Sequence, residues 1–302
     1  MDFVILGGAL RVSKICLGSM SWGARNSAAE GHAQINAALA AGVNFIDTAE
    51  MYAIPPNAER FGATETIIGQ WLAANPSQRD KIVIASKMVG KAPNMPWIRD
   101  GKTRSDRANV IAALDGSLQR LKTDYIDLYQ LHWPDRPTNR FGLLDDPQMP
   151  DDADAVPLLE TLQALDEQVK AGKIRHIGIS NETAWGMMRF LWLAEQHGLS
   201  RIIAIQNVYN LLNRSYEIAQ SEITRREGLS LLAYSPLARG TLSGKYLDGA
   251  LPPLSSRALD SRKSRYDTPR GAAAPSAPTS SSSTTRAATT CAALPPSSRS
   301  AC

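Results

Sequence analysis

The chain has 302 residues, 43% hydrophobic and 21% charged, with a formal net charge of +4. That is apolar material enough for one large core, and Arg286 and Arg299, in a final stretch without acids, supply two of the positive charges. No Lys/Arg block marks a nucleic-acid or membrane surface, no apolar run nears the ~20 residues of a membrane span, no signal-peptide pattern is read at the N-terminus, and three cysteines without a CxxC (Cys16, Cys291, Cys302) suit a reducing, cytoplasmic compartment.

Phe3 to Val12 predicts a small hairpin, a plug for one end of the main body. Short apolar runs then alternate with helical periodicity. Strands are predicted at Ile15–Met20, Asn44–Thr48, Lys81–Met88, Tyr125–Trp133, Ile174–Ser180, Ile202–Asn207 and Ser230–Ser235. The helices between them run over Gly31–Ala41, Thr64–Ala74, a segment N-capped by Ser105, Leu158–Val169 ended by Gly172, Ala184–His197 and Tyr216–Glu227. Trp185, Met187, Met188 and Phe190 read as helix packing.

The strands are almost continuously apolar, which predicts parallel strands covered on their outer face. Seven strand–helix alternations favour an α/β fold of the (β/α)8 TIM-barrel type over an open sheet. The long connections Val89–Arg104 and Pro134–Ala153 follow C-terminal strand ends, where a barrel grows its active-site loops. Beyond Gly271 the chain is almost wholly Ala, Ser, Thr and Pro. The reading is therefore an incomplete barrel over 1–270, truncated after the seventh strand, and a disordered tail over 271–302 with no candidate for an eighth strand.

Four chemically active side chains fall at or just beyond consecutive strand ends: Asp47, Tyr52, Lys87 and His132. Alone, each is more often structural. Together they suit proton donation to a developing alkoxide. A phenol titrates near pH 10; a neighbouring lysine cation favours its ionised form; an aspartate holds the lysine charged; an imidazole orients the substrate oxygen. No other chemistry competes. There is no GxGxxG after a strand, Gly240–Tyr246 departs from the Walker A spacing, and the four histidines lack metal-ligand spacing.

These residues resemble the aldo-keto reductase superfamily from about Val12 to Asp267. The carriers are Lys14–Met20 (KICLGSM), Asn44–Tyr52 (NFIDTAEMY), Gly62–Glu65, Ile84–Lys87, Gln130–Pro134 (QLHWP), Gly178–Glu182 (GISNE) and Ala233–Leu237 (AYSPL). Trp133–Gly142, Gln206-Asn207 and Leu211–Arg214 are similar to the bacterial Tas-type branch, which is related to potassium-channel β subunits.

The resemblance implies NADPH-dependent reduction of small-molecule aldehydes or ketones. Tyr52 would be the general acid, Lys87 and Asp47 its tuners, and His132 the orienting donor. It also implies cofactor contacts. Ser19, Met20 and Asp47 belong to this set; Ser180, Asn181 and Gln206 would hold the nicotinamide carboxamide; Tyr234 would stack beneath the ring. Ser235, Pro236, Leu237, Gly240 and Lys245 would close over the pyrophosphate. Family members continue into an eighth strand and a loop gripping the adenosine 2′-phosphate, where this chain has its Ala/Ser/Thr/Pro stretch. Open edges at the first and seventh strands, a weaker adenosine site and low stability are the expected consequences. A redox-sensing NADP(H)-binding module and an inactive fragment are the alternative readings. The particular carbonyl substrate and the oligomeric state are not legible in the residues.

Overall fold

The computed structural model describes residues 1–141, 152–245, 266 and 289–294. β1 (Phe3–Leu6) and β2 (Leu10–Ser13) form the expected antiparallel hairpin, with Val4 opposite Val12. Its turn needs glycine at position 7: φ is +55°, and an added Cβ would lie 2.5 Å from the Ile203 carbonyl oxygen. The Gly7 amide donates to Ser230 Oγ at 2.9 Å. The hairpin thereby caps the N-terminal ends of two barrel strands.

Seven parallel strands follow in sequence order: β3 (Ile15–Gly18), β4 (Phe45–Asp47), β5 (Val83–Met88), β6 (Ile126–Leu131), β7 (Ile174–Ser180), β8 (Ile202–Val208) and β9 (Ser230–Tyr234). The helices are α1 (Ala28–Ala40), α2 (Ala63–Ala74), α3 (Arg107–Leu121), α4 (Leu158–Lys170), α5 (Ala184–His197) and α6 (Gln220–Glu227). Pleating sends alternate residues to opposite faces. Ile46, Ile84, Tyr129, Ile177, Ile205 and Leu231 point outward into the strand–helix core. Cys16, Phe45, Val83, Ala85, Leu128, Ala204 and Leu232 meet inside, where Val4, Leu6 and Val12 of the hairpin join them. Apolarity on both faces explains the continuous apolar runs.

The seventh and first strands are not left as open edges. β10 (Thr289–Leu294) pairs antiparallel with β3, Cys291 opposite Cys16, and with β9, Ala293 opposite Leu232, closing the barrel. This corrects the expectation of open edges. The physical reason is that an edge presents unpaired backbone groups, which an extended segment can satisfy without an apolar pattern of its own. The parallel eighth strand of a complete repeat is not what fills the gap. The expected boundary near 270 and the rest of Gly271–Cys302 lie outside the described residues.

Local details differ in several places, among them the helix expected over Tyr216–Glu227, where a 3-10 turn (Ser215–Glu217) precedes α6. α3 is capped by Asp106, which accepts from the Asn109 amide at 2.8 Å, while the Ser105 amide donates to Asp135. α1 begins earlier than apolar periodicity suggests, because Ser27 and Glu30 form a reciprocal capping box. On α5, Met187 and Phe190 are buried, but Trp185 and Met188 are 59% and 41% exposed. Only the former pair faces the core, so the packing expectation fails for the latter.

Candidate active site

The interior periodicity that buries Phe45 also turns Asp47 inward two residues later. In the same way Ala85 is followed by Lys87, Leu128 by Gln130 and Ala204 by Gln206. The barrel floor is apolar and the layer above it polar. Lys87 is wholly buried and donates to Asp47 Oδ2 and to the Thr48 carbonyl, both at 2.7 Å. Gln206 Nε2 donates to Asp47 Oδ1 at 2.8 Å, while the Ser19 hydroxyl and amide donate to the Asp47 carbonyl at 2.9 and 3.0 Å. Pairing and hydrogen bonding are what make two buried charges tolerable.

Tyr52 and His132 stand over this pair. The Lys87 ammonium lies 5.1 Å from the centroid of the Tyr52 ring, and His132 meets that ring edge-on at 5.6 Å. All four expected catalytic side chains therefore come together, each less than one-tenth exposed. Burial, and secondarily the Lys87 charge, push the His132 pKa well below its usual value. His132 is therefore a neutral imidazole near pH 7. It can donate a hydrogen bond, but it is not a ready proton source. Its Nδ1 is buried and has no hydrogen-bond partner among the described residues.

Two loops hold Tyr52 and His132 in place. Glu50 is fully buried; it accepts from the Val89 amide at 2.7 Å and from Arg99 Nη1 and Nη2 at 2.6 and 3.0 Å. This ties the Tyr52 loop to the long connection after β5. After β6, Asp135 accepts from Arg104 Nε and Nη2, from the Ser105 amide and from the Val156 amide. Trp133, Met95 and Ile98 pack around Tyr52, with Met20, Trp97 and Phe141 partly buried against them.

The expected cofactor residues divide into two groups. One is a connected polar cluster. Ser180 Oγ donates to the Gln206 carbonyl at 2.7 Å, Asn181 Nδ2 to the His132 carbonyl at 2.9 Å, and the half-buried Tyr234 hydroxyl to Asn181 Oδ1 at 2.7 Å. Asn181 sits at φ +52°, a conformation asparagine tolerates better than most residues. The other group is the loop after β9. Ser235 has φ +56°, Pro236 is half-buried, Leu237 is 44% exposed, and Gly240, at φ +104°, makes the tight turn over Ala238–Ser243. Lys245 is exposed. Asn210 Nδ2 anchors this loop through the Ser235 carbonyl at 3.0 Å and reaches the Tyr266 hydroxyl at 2.7 Å. Amide and hydroxyl side chains beside a half-buried phenol ring are a donor set that fits a nicotinamide carboxamide. No cluster of metal-ligating side chains occurs among the described residues.

Several members were missed from sequence. Glu50 and Arg99 gave no signal, because an ion pair across 49 positions leaves none in a single chain. Gln130 was readable: it shares the inward parity of His132. It is wholly buried in the polar layer, paired in register with Lys87, and neither of its amide atoms has a partner among the described residues.

A model of the aldo/keto reductase family matches residues 14–291. The chain is 53% identical to Protein tas of Escherichia coli over 258 residues, which are 85% of this chain and 74% of that protein. It is 44% identical to an aldo-keto reductase of Babesia bovis over 208 residues (65% of this chain, 72% of that protein). It is 34% identical to the oxidoreductase YrpG of Bacillus subtilis over 248 residues (82% and 70%). No helix among the described residues is long and apolar enough to cross a membrane.

Proposed function

The chain belongs to the aldo/keto reductase family, in its Tas-type branch, and from that premise we propose that it reduces small-molecule aldehydes or ketones to alcohols with NADPH in the cytoplasm. Members of the family are oxidoreductases that generally use nicotinamide cofactors. The observation that carries the more specific reading is the Asp47–Lys87 ion pair buried beneath Tyr52, with a neutral His132 edge-on to the same ring.

NADPH, when bound, supplies the hydride that adds to the carbonyl carbon. Ser180, Asn181, Gln206 and Tyr234 would hold its nicotinamide end, with Ser19 and Met20 beside them. The loop Ser235, Pro236, Leu237, Gly240 and Lys245 would hold its pyrophosphate. The protein's own residues manage the proton. The carbonyl oxygen accepts a hydrogen bond from neutral His132, which fixes its direction. As the C=O π pair moves onto oxygen, the Tyr52 hydroxyl gives up its proton to that oxygen, and the alcohol forms. The remaining phenolate is stabilised by the Lys87 cation, which Asp47 keeps charged and Gln206 helps to position. Burial strengthens this arrangement, because the interior screens charge less than water does. The aromatic wall of Trp133, Trp97 and Phe141 excludes water from the reacting carbon.

The test is direct. Purified protein with 4-nitrobenzaldehyde is expected to consume NADPH, and NADPH is expected to raise the thermal midpoint more than NADH does. Saturable NADPH binding without turnover of any aldehyde would favour the redox-sensing alternative. No binding of either nucleotide would sink both.

A further inference from the structure

Most half-buried arginines beside this site are paired with a carboxylate: Arg99 with Glu50, Arg104 with Asp135, Arg136 with Glu182. Arg140 is the exception. Its guanidinium carbon lies 5.7 Å from the Trp133 ring centroid and 5.4 Å from that of Phe141. Its sole hydrogen bond among the described residues is a long one, 3.4 Å, from Nη1 to the Pro134 carbonyl. Burial pushes its pKa down, and no anion among the described residues offsets it. A guanidinium has five N–H donors in a planar fork. Among the described residues nearly all of these lack a partner on a partly desolvated cation, an arrangement that is costly unless an anion completes it.

The place of this cation gives it a role. The Trp133 ring, against which Arg140 packs, lies 4.9 Å from His132, and His132 lies 5.6 Å from Tyr52. The Arg140 guanidinium carbon is therefore within about 11 Å of the His132 ring centroid, a span that one small molecule with an anion at one end and a carbonyl at the other can bridge. We propose that Arg140 is a specificity-determining residue that holds a carboxylate carried by the carbonyl substrate, so that the preferred substrates are oxo acids and formyl acids. The flat fork beside these two rings suits a planar carboxylate, which it can engage through two parallel hydrogen bonds. This inference rests on the carbonyl-reductase reading, and its test separates the two.

The experiment compares 4-carboxybenzaldehyde with 4-nitrobenzaldehyde, each with NADPH, in the full chain and in Arg140→Gln and Arg140→Lys. The kcat/KM ratio of the carboxylate to the nitro substrate should fall about 10- to 100-fold in Arg140→Gln, the range expected for losing a charge-assisted hydrogen bond. The fall should lie in KM, and Arg140→Lys should restore part of it. An unchanged ratio overturns the proposal while leaving the reductase reading standing. So does a lowered thermal midpoint in Arg140→Gln with an unchanged ratio, the signature of a purely structural role for the guanidinium. If neither aldehyde is reduced, the reductase reading fails, and quenching of tryptophan fluorescence decides for Arg140. Saturable quenching by 4-(hydroxymethyl)benzoate that weakens at least 10-fold in Arg140→Gln supports the carboxylate site; equal quenching of both proteins overturns it.

Discussion

The two ends of the barrel interior are built from the same strands two residues apart, yet they differ in kind. At the N-terminal end Phe45, Leu128 and Ala204 meet the hairpin residues Leu6 and Val12 in a wholly apolar layer. At the C-terminal end Asp47, Gln130 and Gln206 occupy the next inward positions of the same three strands, and Lys87 and His132 join them. The lower layer stabilises by removing apolar surface from water. The upper one spends stability on buried charges and amides held in fixed directions. A barrel can place its chemistry at one end because the other end holds the strands together.

Three predictions probe this division. The largest effect is expected at Lys87, where the two roles meet. Lys87→Met leaves the Asp47 carboxylate buried without its cation, and truncating one partner of a buried pair costs about 3–5 kcal/mol. Chemical denaturation should show that loss, and turnover should fall by about 10²- to 10⁴-fold, the range of general acid–base assistance. A protein of unchanged stability would mean that the pair contributes nothing to the fold.

Phe45→Ala acts on the lower layer alone. Removing a fully buried phenyl ring should cost about 3–5 kcal/mol, read as a lowered urea midpoint. Because the polar layer is intact, kcat of the folded fraction should stay within about 10-fold, well inside the loss expected from removing an acid–base group. A collapse in kcat with little change in stability would contradict the separation of the two layers.

The smallest effect concerns pH. In the unfolded chain a histidine takes up a proton below about pH 6.5. In the folded chain His132 takes one up only well below that, because burial and then Lys87 oppose the charged form. The unfolded state thus binds more protons in this window, and stability must fall as pH drops through about 6.5. Half-buried His176, lowered mainly by burial, adds in the same direction. Urea midpoints should decline from about pH 7.5 to about pH 5.5, less steeply in His132→Phe. Identical slopes in the two proteins would refute the buried neutral imidazole.

Much of this was legible in the chain because it follows from local periodicity. The parity of Asp47, Lys87 and His132 at the ends of apolar strands puts them inside, and a closed parallel sheet brings strand ends together. What was not legible depends on partners far apart in sequence. β10 closes the barrel through backbone pairing, which leaves no side-chain pattern, so the composition of Gly271–Cys302 suggested only disorder. The Glu50–Arg99 and Arg104–Asp135 pairs, and the lack of any such pair at Arg140 among the described residues, emerge only when the loops are folded. The α3 cap lies one residue on, at Asp106, whose carboxylate accepts the Asn109 amide.

Tyr52 as the proton donor is the claim on which the mechanism turns. The decisive measurement is the steady-state rate of NADPH oxidation with 4-nitrobenzaldehyde by the wild-type protein and by Tyr52→Phe, which keeps the ring against His132 and removes only the hydroxyl. The expected result is a fall in kcat of at least about 10²-fold with an unchanged thermal midpoint and undiminished NADPH binding. Equal rates in the two proteins would contradict it.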